Sequence, residues 1–449
     1  MHKVLVRGCG WLVATGLFLL SLWIVLPPLN FFWLQFAVAV PEISPLLAFL
    51  SIVFLCLAIF LFRFQYRQLS LFFIVLLTIS FVLSSWPLIQ LPNTVRQAEH
   101  SMTAAFNTSS DSSSVAFKGW SSSWASVFSS FRPSLSTADV RHQAKIPFAL
   151  PGQVSDQPPG QLSGQSSDQP SDQLSGLLPE RPLTTSLTPD LPTTQLALDV
   201  YQPPMAGRYP ALVILYGGGW GRGDSSENEA FARYFAARGY VVVAIAYRLA
   251  PQYRFPVQSE DVRQALAFVR EHADEYEIAR DSDGTPQLSL VGWSAGAHLA
   301  MLEGFQPSEG QDLDAVKSII NFYGPVDLAA GYANPPVPDP LDVRQVLEAF
   351  LGGTPSERPQ AYAEASPITY VKSAQPDSLP PVLLIYGGRD HIVEAKYGEF
   401  LYQQLLASKN TAVWIRIPWA EHAFDKVFSG LSNRVALHFV EQFLAKTLR

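Results

Sequence analysis

Leu290-Val291-Gly292-Trp293-Ser294-Ala295-Gly296 is the stretch that decides how this chain is read. An apolar run enters a glycine, a serine stands two residues later, a second glycine follows, and Ala297 to Leu302 continues as a helix. Strand, G-x-S-x-G and helix in that order form the context of a nucleophile elbow. The turn needs glycine on both sides, because a side chain there would strike the neighbouring strand and helix. It lifts the hydroxyl of Ser294 into the open above a helix N-terminus. The pattern alone is weak; its partners along the chain give it weight.

A serine hydroxyl attacks only when a base takes its proton. Downstream, Pro381 to Tyr386 is a short apolar run that ends in Gly387-Gly388-Arg389-Asp390. Such a run suits a buried parallel strand, whose C-terminal loop is where active-site groups gather. Asp390 is the candidate acid. Thr411 to Pro418 alternates as a further strand, and Trp419-Ala420-Glu421-His422 follows it. His422 is the candidate base, which accepts the serine proton and returns it to the leaving group. Asp390 would fix the imidazole tautomer and stabilise the imidazolium. Asp327 is the rival acid and otherwise a turn or helix cap. His391 is the rival base, although neighbours such as Asp390 and His391 rarely point into one site. His298 reads as a packed helix residue.

Upstream, the apolar strand Ala211 to Leu215 runs into Tyr216-Gly217-Gly218-Gly219-Trp220. Consecutive glycines let backbone N–H groups turn toward a developing oxyanion. Gly217, Gly218 and Gly219, with the N–H of Ala295, are the candidate oxyanion hole. No Lys-Ser/Thr follows the glycines, which argues against a phosphate-binding loop.

From about residue 195 to 449 the chain resembles the α/β-hydrolase superfamily, in particular esterases related to hormone-sensitive lipase and the BD-FAE-like esterases. The resemblance rests on Gly217-Gly218-Gly219-Trp220, on Tyr247-Arg248-Leu249-Ala250-Pro251 with Phe255-Pro256 and Asp261, on Gly-Trp-Ser-Ala-Gly, and on Gly-Gly-Arg-Asp before His422. Phe350-Leu351-Gly352-Gly353-Thr354-Pro355 and Ala365-Ser366-Pro367-Ile368 also match the segment such esterases carry between their sixth and seventh strands. It implies carboxylic ester hydrolysis, a small-molecule ester as substrate and no cofactor; no metal ligands are assigned. One departure is Tyr216, where the family usually has a histidine that braces the glycine loop. A tyrosine hydroxyl can also hydrogen-bond there.

The first ninety residues have another composition. Apolar runs cover about 11–26, 46–62 and 69–89, each near the length that crosses a bilayer. Residues 1–92 are therefore expected to be an anchor of three transmembrane helices in contact with membrane lipid. Phe31 to Val40 is too short to span and suits an interfacial or re-entrant stretch. Lys3 and Arg7 precede the first run, Arg63 and Arg67 lie between the second and third, and no Lys or Arg separates the first two. The positive-inside rule puts the N-terminus in the cytoplasm and everything after Ile89 outside it. The net charge of −7 gives no sign of nucleic-acid binding. Cys9 and Cys56 both fall in this region, so no disulfide is available to the catalytic part.

Residues 93–138 are Ser-rich, with Phe117, Trp120, Trp124, Phe128 and Phe131 at helical spacing. They read as a tether with an aromatic amphipathic helix. Residues 151–192 repeat Ser-Asp-Gln among Pro and Gly and cannot bury enough apolar surface to offset ordering. Strand-like stretches flank them at Arg141 to Leu150 and Gln195 to Tyr201. The insertion is therefore expected to be an expanded hairpin loop, and the hydrolase part to occupy 139–449. Loop closure entropy grows slowly enough with length to tolerate it.

The expected architecture is an α/β fold with a mostly parallel eight-stranded sheet after three membrane helices. The covering segment 329–370 shows one clear helical pattern, Val343 to Leu351, and looks too short to build a deep tunnel, which favours short-acyl esters. Rival readings are a hydrolase of another acyl bond (peptide, thioester or aryl formamide), a non-catalytic receptor with a hydrolase shell, or a structural role in the envelope. The sequence leaves the oligomeric state open.

Overall fold

The computed structural model describes residues 2–64, 67–106, 139–148, 196–306 and 316–448. Four helices come first: α1 (His2–Leu22), α2 (Phe31–Glu42), α3 (Ser44–Phe64) and α4 (Arg67–Phe106). Long apolar runs make up most of α1, α2, α3 and the first half of α4. Ala14, Leu17, Leu47 and Leu77 meet in a small core between α1, α3 and α4. The hydroxyls of Ser51 and Ser80 hydrogen-bond at 2.9 Å inside it, and Ser80 also donates to the Leu17 carbonyl at 3.1 Å. The outward faces are apolar as well, with Leu12, Phe60, Leu71 and Val82 all exposed.

Three details differ from the sequence expectation. The first apolar run stays helical only to Leu22, because a turn ahead of Pro27-Pro28 ends it. The third does not give way to a tether near residue 93. It continues through Pro87 and Pro92 as one helix to Phe106. Its last turns pack on the sheet, where Ser101 Oγ accepts the Trp414 N–H at 2.9 Å. Among the described residues, one helix, Leu71–Phe106, is long and apolar enough to cross a bilayer. Phe31–Glu42 and Ser44–Phe60, bent by 73° at their junction, pass the same test together, and Gly10–Leu22 is apolar but shorter. The aromatic face at 117–131 and the insertion at 151–192 lie outside the described residues.

The remaining chain alternates strands and helices. The strands are β1 (Arg141–Pro147), β2 (Ala197–Gln202), β3 (Ala211–Leu215), β4 (Val241–Ile245), β5 (Leu288–Trp293), β6 (Val316–Phe322), β7 (Val382–Gly387) and β8 (Ala412–Ile417). The helices are α5 (Glu229–Ala236), α6 (Val257–Glu271), α7 (Ala295–Phe305), α8 (Leu328–Ala333), α9 (Val343–Leu351), α10 (Pro359–Glu364), α11 (Pro367–Ser373), α12 (Ala395–Ala407) and α13 (Leu431–Thr447). The strands form one sheet in the order β1-β2-β4-β3-β5-β6-β7-β8. β1 with β2 and β2 with β4 are antiparallel, and every later pair is parallel.

β3, β4, β5 and β7 are buried throughout, which is why they read as continuous apolar runs rather than alternating ones. β1 and β2 flank the insertion as an antiparallel pair, from Arg141 opposite Gln202 to Pro147 opposite Ala197. The covering segment is more helical than expected, with α8, α9, α10 and α11 in place of one helix. Two of these starts carry aspartate caps: Asp327 Oδ1 accepts the Ala330 N–H and Asp342 Oδ1 accepts the Gln345 N–H.

Candidate active site

β5 ends at Trp293, α7 begins at Ala295, and Ser294 makes the turn between them. Its φ of 51° and ψ of −119° lie where a side chain is strained. The flanking glycines are required by contact. A Cβ on Gly292 would stand 2.4 Å from the Ala297 Cα, and one on Gly296 would stand 2.1 Å from the Leu215 carbonyl oxygen. The elbow is therefore built as its sequence suggests.

Three side chains from three loops converge there. Ser294 Oγ lies 3.0 Å from His422 Nε2, and His422 Nδ1 lies 2.7 Å from Asp390 Oδ2. Asp390 Oδ1 accepts the backbone N–H groups of Ile392 at 2.8 Å and Val393 at 2.7 Å. These bonds fix the carboxylate so that its other oxygen faces the imidazole. Asp390 and His422 are both buried. The rivals go elsewhere. Asp327 is the N-cap of α8. His391 turns away to Glu421, which accepts its backbone N–H at 2.6 Å and contacts its Nδ1 at 2.7 Å.

The glycine loop sits against the elbow. A Cβ on Gly217 would fall 2.9 Å from the Trp293 carbonyl oxygen, and one on Gly218, at φ 130°, 2.1 Å from the Arg222 carbonyl oxygen. Gly219, at φ 60°, and Ala295 both line a cavity with Ser294. As the first residue of α7, Ala295 has an N–H without an intrahelical acceptor.

Tyr216 answers for the histidine it replaces. Its ring stacks on Tyr247 with centroids 4.4 Å apart. Each hydroxyl donates to the other residue's carbonyl, at 3.3 Å from Tyr216 and 3.0 Å from Tyr247. Burial holds both phenols well above their ordinary pKa, so they act as neutral donors. This pair ties the glycine strand to the Tyr-Arg-Leu-Ala-Pro loop. The same loop is anchored beneath by Arg248, whose guanidinium and backbone N–H all donate to Asp261, with Nη2 to Oδ1 at 2.7 Å.

Sequence reasoning missed one brace. His298 Nδ1 accepts the Trp220 indole N–H at 3.2 Å, and its Nε2 meets the Ala365 carbonyl at 2.6 Å. Full burial lowers its pKa to about 4, so it stays neutral with Nε2–H as donor. The only signal available was its position one helical turn beyond Ser294. The second omission lies in the N-terminal helices. Phe31, Leu34 and Val38 of α2 line a cavity of about 580 Å³ together with Ser294, His422 and the glycine loop.

Residues 198–405 match the family model described as BD-FAE. The chain is 30% identical over 263 residues to the probable carboxylic ester hydrolase LipM of Mycobacterium tuberculosis, covering 56% of this chain and 58% of that protein. It is 28% identical over 252 residues to the esterase LipC of the same organism, covering 54% and 59%. The matched part thus spans less than two thirds of these relatives. Among solved structures it is similar to one of two fungal esterases from Rhizomucor miehei, at 25% identity and a TM-score of 0.50, over 57% of this chain and 80% of that one. The fold is that of the α/β-hydrolases.

Proposed function

We propose that this chain is a membrane-anchored carboxylic ester hydrolase in which Ser294, His422 and Asp390 act as nucleophile, base and acid. The observation that carries the reading is the unbroken hydrogen-bonded line from Ser294 Oγ through His422 to Asp390. His422 takes the serine proton as Oγ bonds to the ester carbonyl carbon, and the oxyanion gathers on the N–H groups of the glycine loop and Ala295. The C–O bond then breaks, and His422 gives its proton to the departing alcohol. A water activated by the same imidazole releases the acid and restores the serine. The relatives named as esterases support this chemistry.

The acyl group would be short. The cavity behind Ser294, under Val326, Leu328, Val346 and Leu347, holds only about 70 Å³. It is the smaller of the two cavities that Ser294 lines. Fluorophosphonate labelling of the parent protein and of Ser294→Ala, followed by an ester panel of rising acyl length, tests both claims. Labelling of the variant would remove Ser294 from its role, and a rate that rises with acyl length would remove the short-acyl reading.

The anchor would place α1, α3 and the first half of α4 in the bilayer, with the N-terminus cytoplasmic and the hydrolase part outside. Parity supports this. With three crossings, the α1–α3 connection and everything after α4 share one side. Arg389 Nη2 of the hydrolase part in fact donates to the Leu26 carbonyl of that connection at 2.9 Å. Protease added to intact cells, with any outer membrane opened, should cut within 151–192; cleavage only after lysis would reverse the orientation.

A further inference from the structure

Two cavities meet at Ser294, and they differ in what else lines them. The small one holds Gly219 and Ala295 but not His422, whereas the large one holds His422, Gly217 and Gly218. The imidazole must hand its proton to the departing alcohol, so the alcohol lies on the side where His422 is exposed. The acyl group then occupies the side of about 70 Å³ and the alcohol the side of about 580 Å³. The site is shaped for a small acid on a large alcohol.

One wall of the alcohol side comes from outside the hydrolase fold. Phe31, Leu34 and Val38 belong to α2, in the segment between two apolar helices. Three contacts hold that segment in place. Arg222 of the glycine loop lies over the Phe31 ring, 5.0 Å from its centroid. Arg389, beside the triad acid, holds the Leu26 carbonyl. At the far end, buried Glu42 accepts the Ser432 N–H at 2.7 Å, in the first turn of α13. A Cβ at 430 would stand 2.7 Å from the Val427 carbonyl oxygen and 2.5 Å from the Glu42 carboxyl, so glycine lets the two elements approach.

The α1–α3 connection and the rest of the lining name the occupant. In the same connection Leu26, Leu29 and Phe32 are exposed, with Leu29 at 71%. They continue the apolar outer surface of the helices. Outside α2 the lining joins apolar side chains such as Trp293, Tyr323 and Ile392 to polar ones, Asn228 and the ion pair of Lys426 with Glu227 at 2.7 Å. A mainly apolar cavity with a few polar groups, beside a connection whose exposed side chains suit lipid, fits an amphipathic alcohol held in a bilayer.

We propose that α2 completes the leaving-alcohol pocket and that the substrate is a short-chain acyl ester of a lipid-anchored alcohol, taken from the membrane surface. This rests on the hydrolase reading above.

The test uses the full-length protein in phospholipid vesicles with three probes: soluble p-nitrophenyl acetate, 1,2-dioleoyl-3-acetylglycerol and trioleoylglycerol. Acetate should leave the acetylated lipid at least tenfold faster than oleate leaves either lipid. Turnover of p-nitrophenyl acetate without acetate release from the acetylated lipid would overturn the proposal and leave the hydrolase reading standing. Failure of both acetyl esters, with no fluorophosphonate labelling of Ser294, would overturn both. Leu34→Trp, which fills the α2 wall, should lower the ratio of acetylated-lipid to p-nitrophenyl acetate hydrolysis at least tenfold. An unchanged ratio would remove α2 from the pocket.

Discussion

The two halves of this molecule bury similar things and expose different ones. In the hydrolase part the apolar side chains point inward, and Val213, Val243, Val291 and Ile320 are all fully buried. The four N-terminal helices also bury apolar groups such as Leu17, Leu47 and Leu77, with serines among them, but their outer faces are apolar too. Ser51, Ser80 and Ala14 are buried, whereas Leu12, Phe60, Leu71 and Val82 are exposed. Beyond residue 90, the large apolar side chains left exposed among the described residues are Met205, Val337, Phe400 and Leu406. The difference teaches that the halves are solved for different surroundings. Water drives the sheet together by removing apolar area. In the proposed bilayer setting lipid would give no such drive, and close packing with interhelical hydrogen bonds such as Ser51 to Ser80 would hold the helices together.

The sharpest test is whether chemistry resides in one half alone. Ser294→Ala and His422→Ala should each lower kcat for p-nitrophenyl acetate by ~10,000-fold or more, because the triad acts as a unit. Membrane extraction behaviour should stay that of the parent. Residual turnover by Ser294→Ala at more than a thousandth of the parent rate would sink the assignment.

Next comes the contrast between two aspartates. Asp390→Asn should cost on the order of 10,000-fold in kcat by favouring the wrong imidazole tautomer. Asp327→Asn should change the rate only slightly, because its carboxylate caps α8, and asparagine caps about as well. Equal losses from the two would mean that Asp327 takes part in the chemistry.

These residues were legible because local geometry and chain order dictate them. Glycines at 292 and 296 have no alternative in a turn this tight, Asp390 follows a strand that declares itself by apolar composition, and His422 follows one that declares itself by alternation. The boundary of α4 was not legible. Pro87 and Pro92 look like a stop, yet each deprives the helix of only one N–H, and packing on β8 offsets the loss. The α2 wall was hidden for a related reason. Phe31, Leu34 and Val38 have the composition of any interfacial helix, and only tertiary docking brings them to His422. His298 lay between these cases: its place on α7 follows from the sequence, its partners Trp220 and Ala365 do not.

Under the hydrolase site, Arg248→Met should destabilise the hydrolase part by about 3–5 kcal/mol, since Asp261 would be left charged and fully buried. Adding Asp261→Leu should restore much of the loss. Thermal unfolding of the two variants measures it, and a single variant as stable as the parent would show that the pair is not holding the loop.

His298 gives a pH signature. Its folded pKa, about 4, lies below the ordinary 6.5, so the unfolded chain takes up the proton first. Its contribution is complete above pH 6.5 and is lost as the pH falls toward 4, by at most about 3 kcal/mol. Buried His438 titrates over the same window and buried Glu303 in the opposite sense, so the signature is a difference: His298→Gln, which keeps a donor for the Ala365 carbonyl, should lose less stability than the parent between pH 6.5 and 4. A variant with the parent's slope would show that His298 is not the titrating group.

The smallest expected effect tests where the two halves touch. Glu42 ends α2, and its carboxyl reaches the first turn of α13 and accepts the Ser432 N–H. That N–H has no partner within its own helix, so the first turn of α13 relies on the other half of the molecule. Glu42→Leu should leave the donor buried and unpaired, at about 1–3 kcal/mol. For a part of this size each kcal/mol lowers the thermal midpoint by roughly 2–4 °C. Glu42→Gln keeps a carbonyl oxygen in the same place and should lie between the parent and the leucine variant, which separates the hydrogen bond from the shape of the side chain. Unfolding is best followed in detergent, by tryptophan fluorescence of the full-length protein. If the hydrolase part melts at the same temperature in all three proteins, α13 does not depend on Glu42 and the two halves fold as strangers. If only the leucine variant falls substantially, the membrane segment is part of the support of the loop that carries His422.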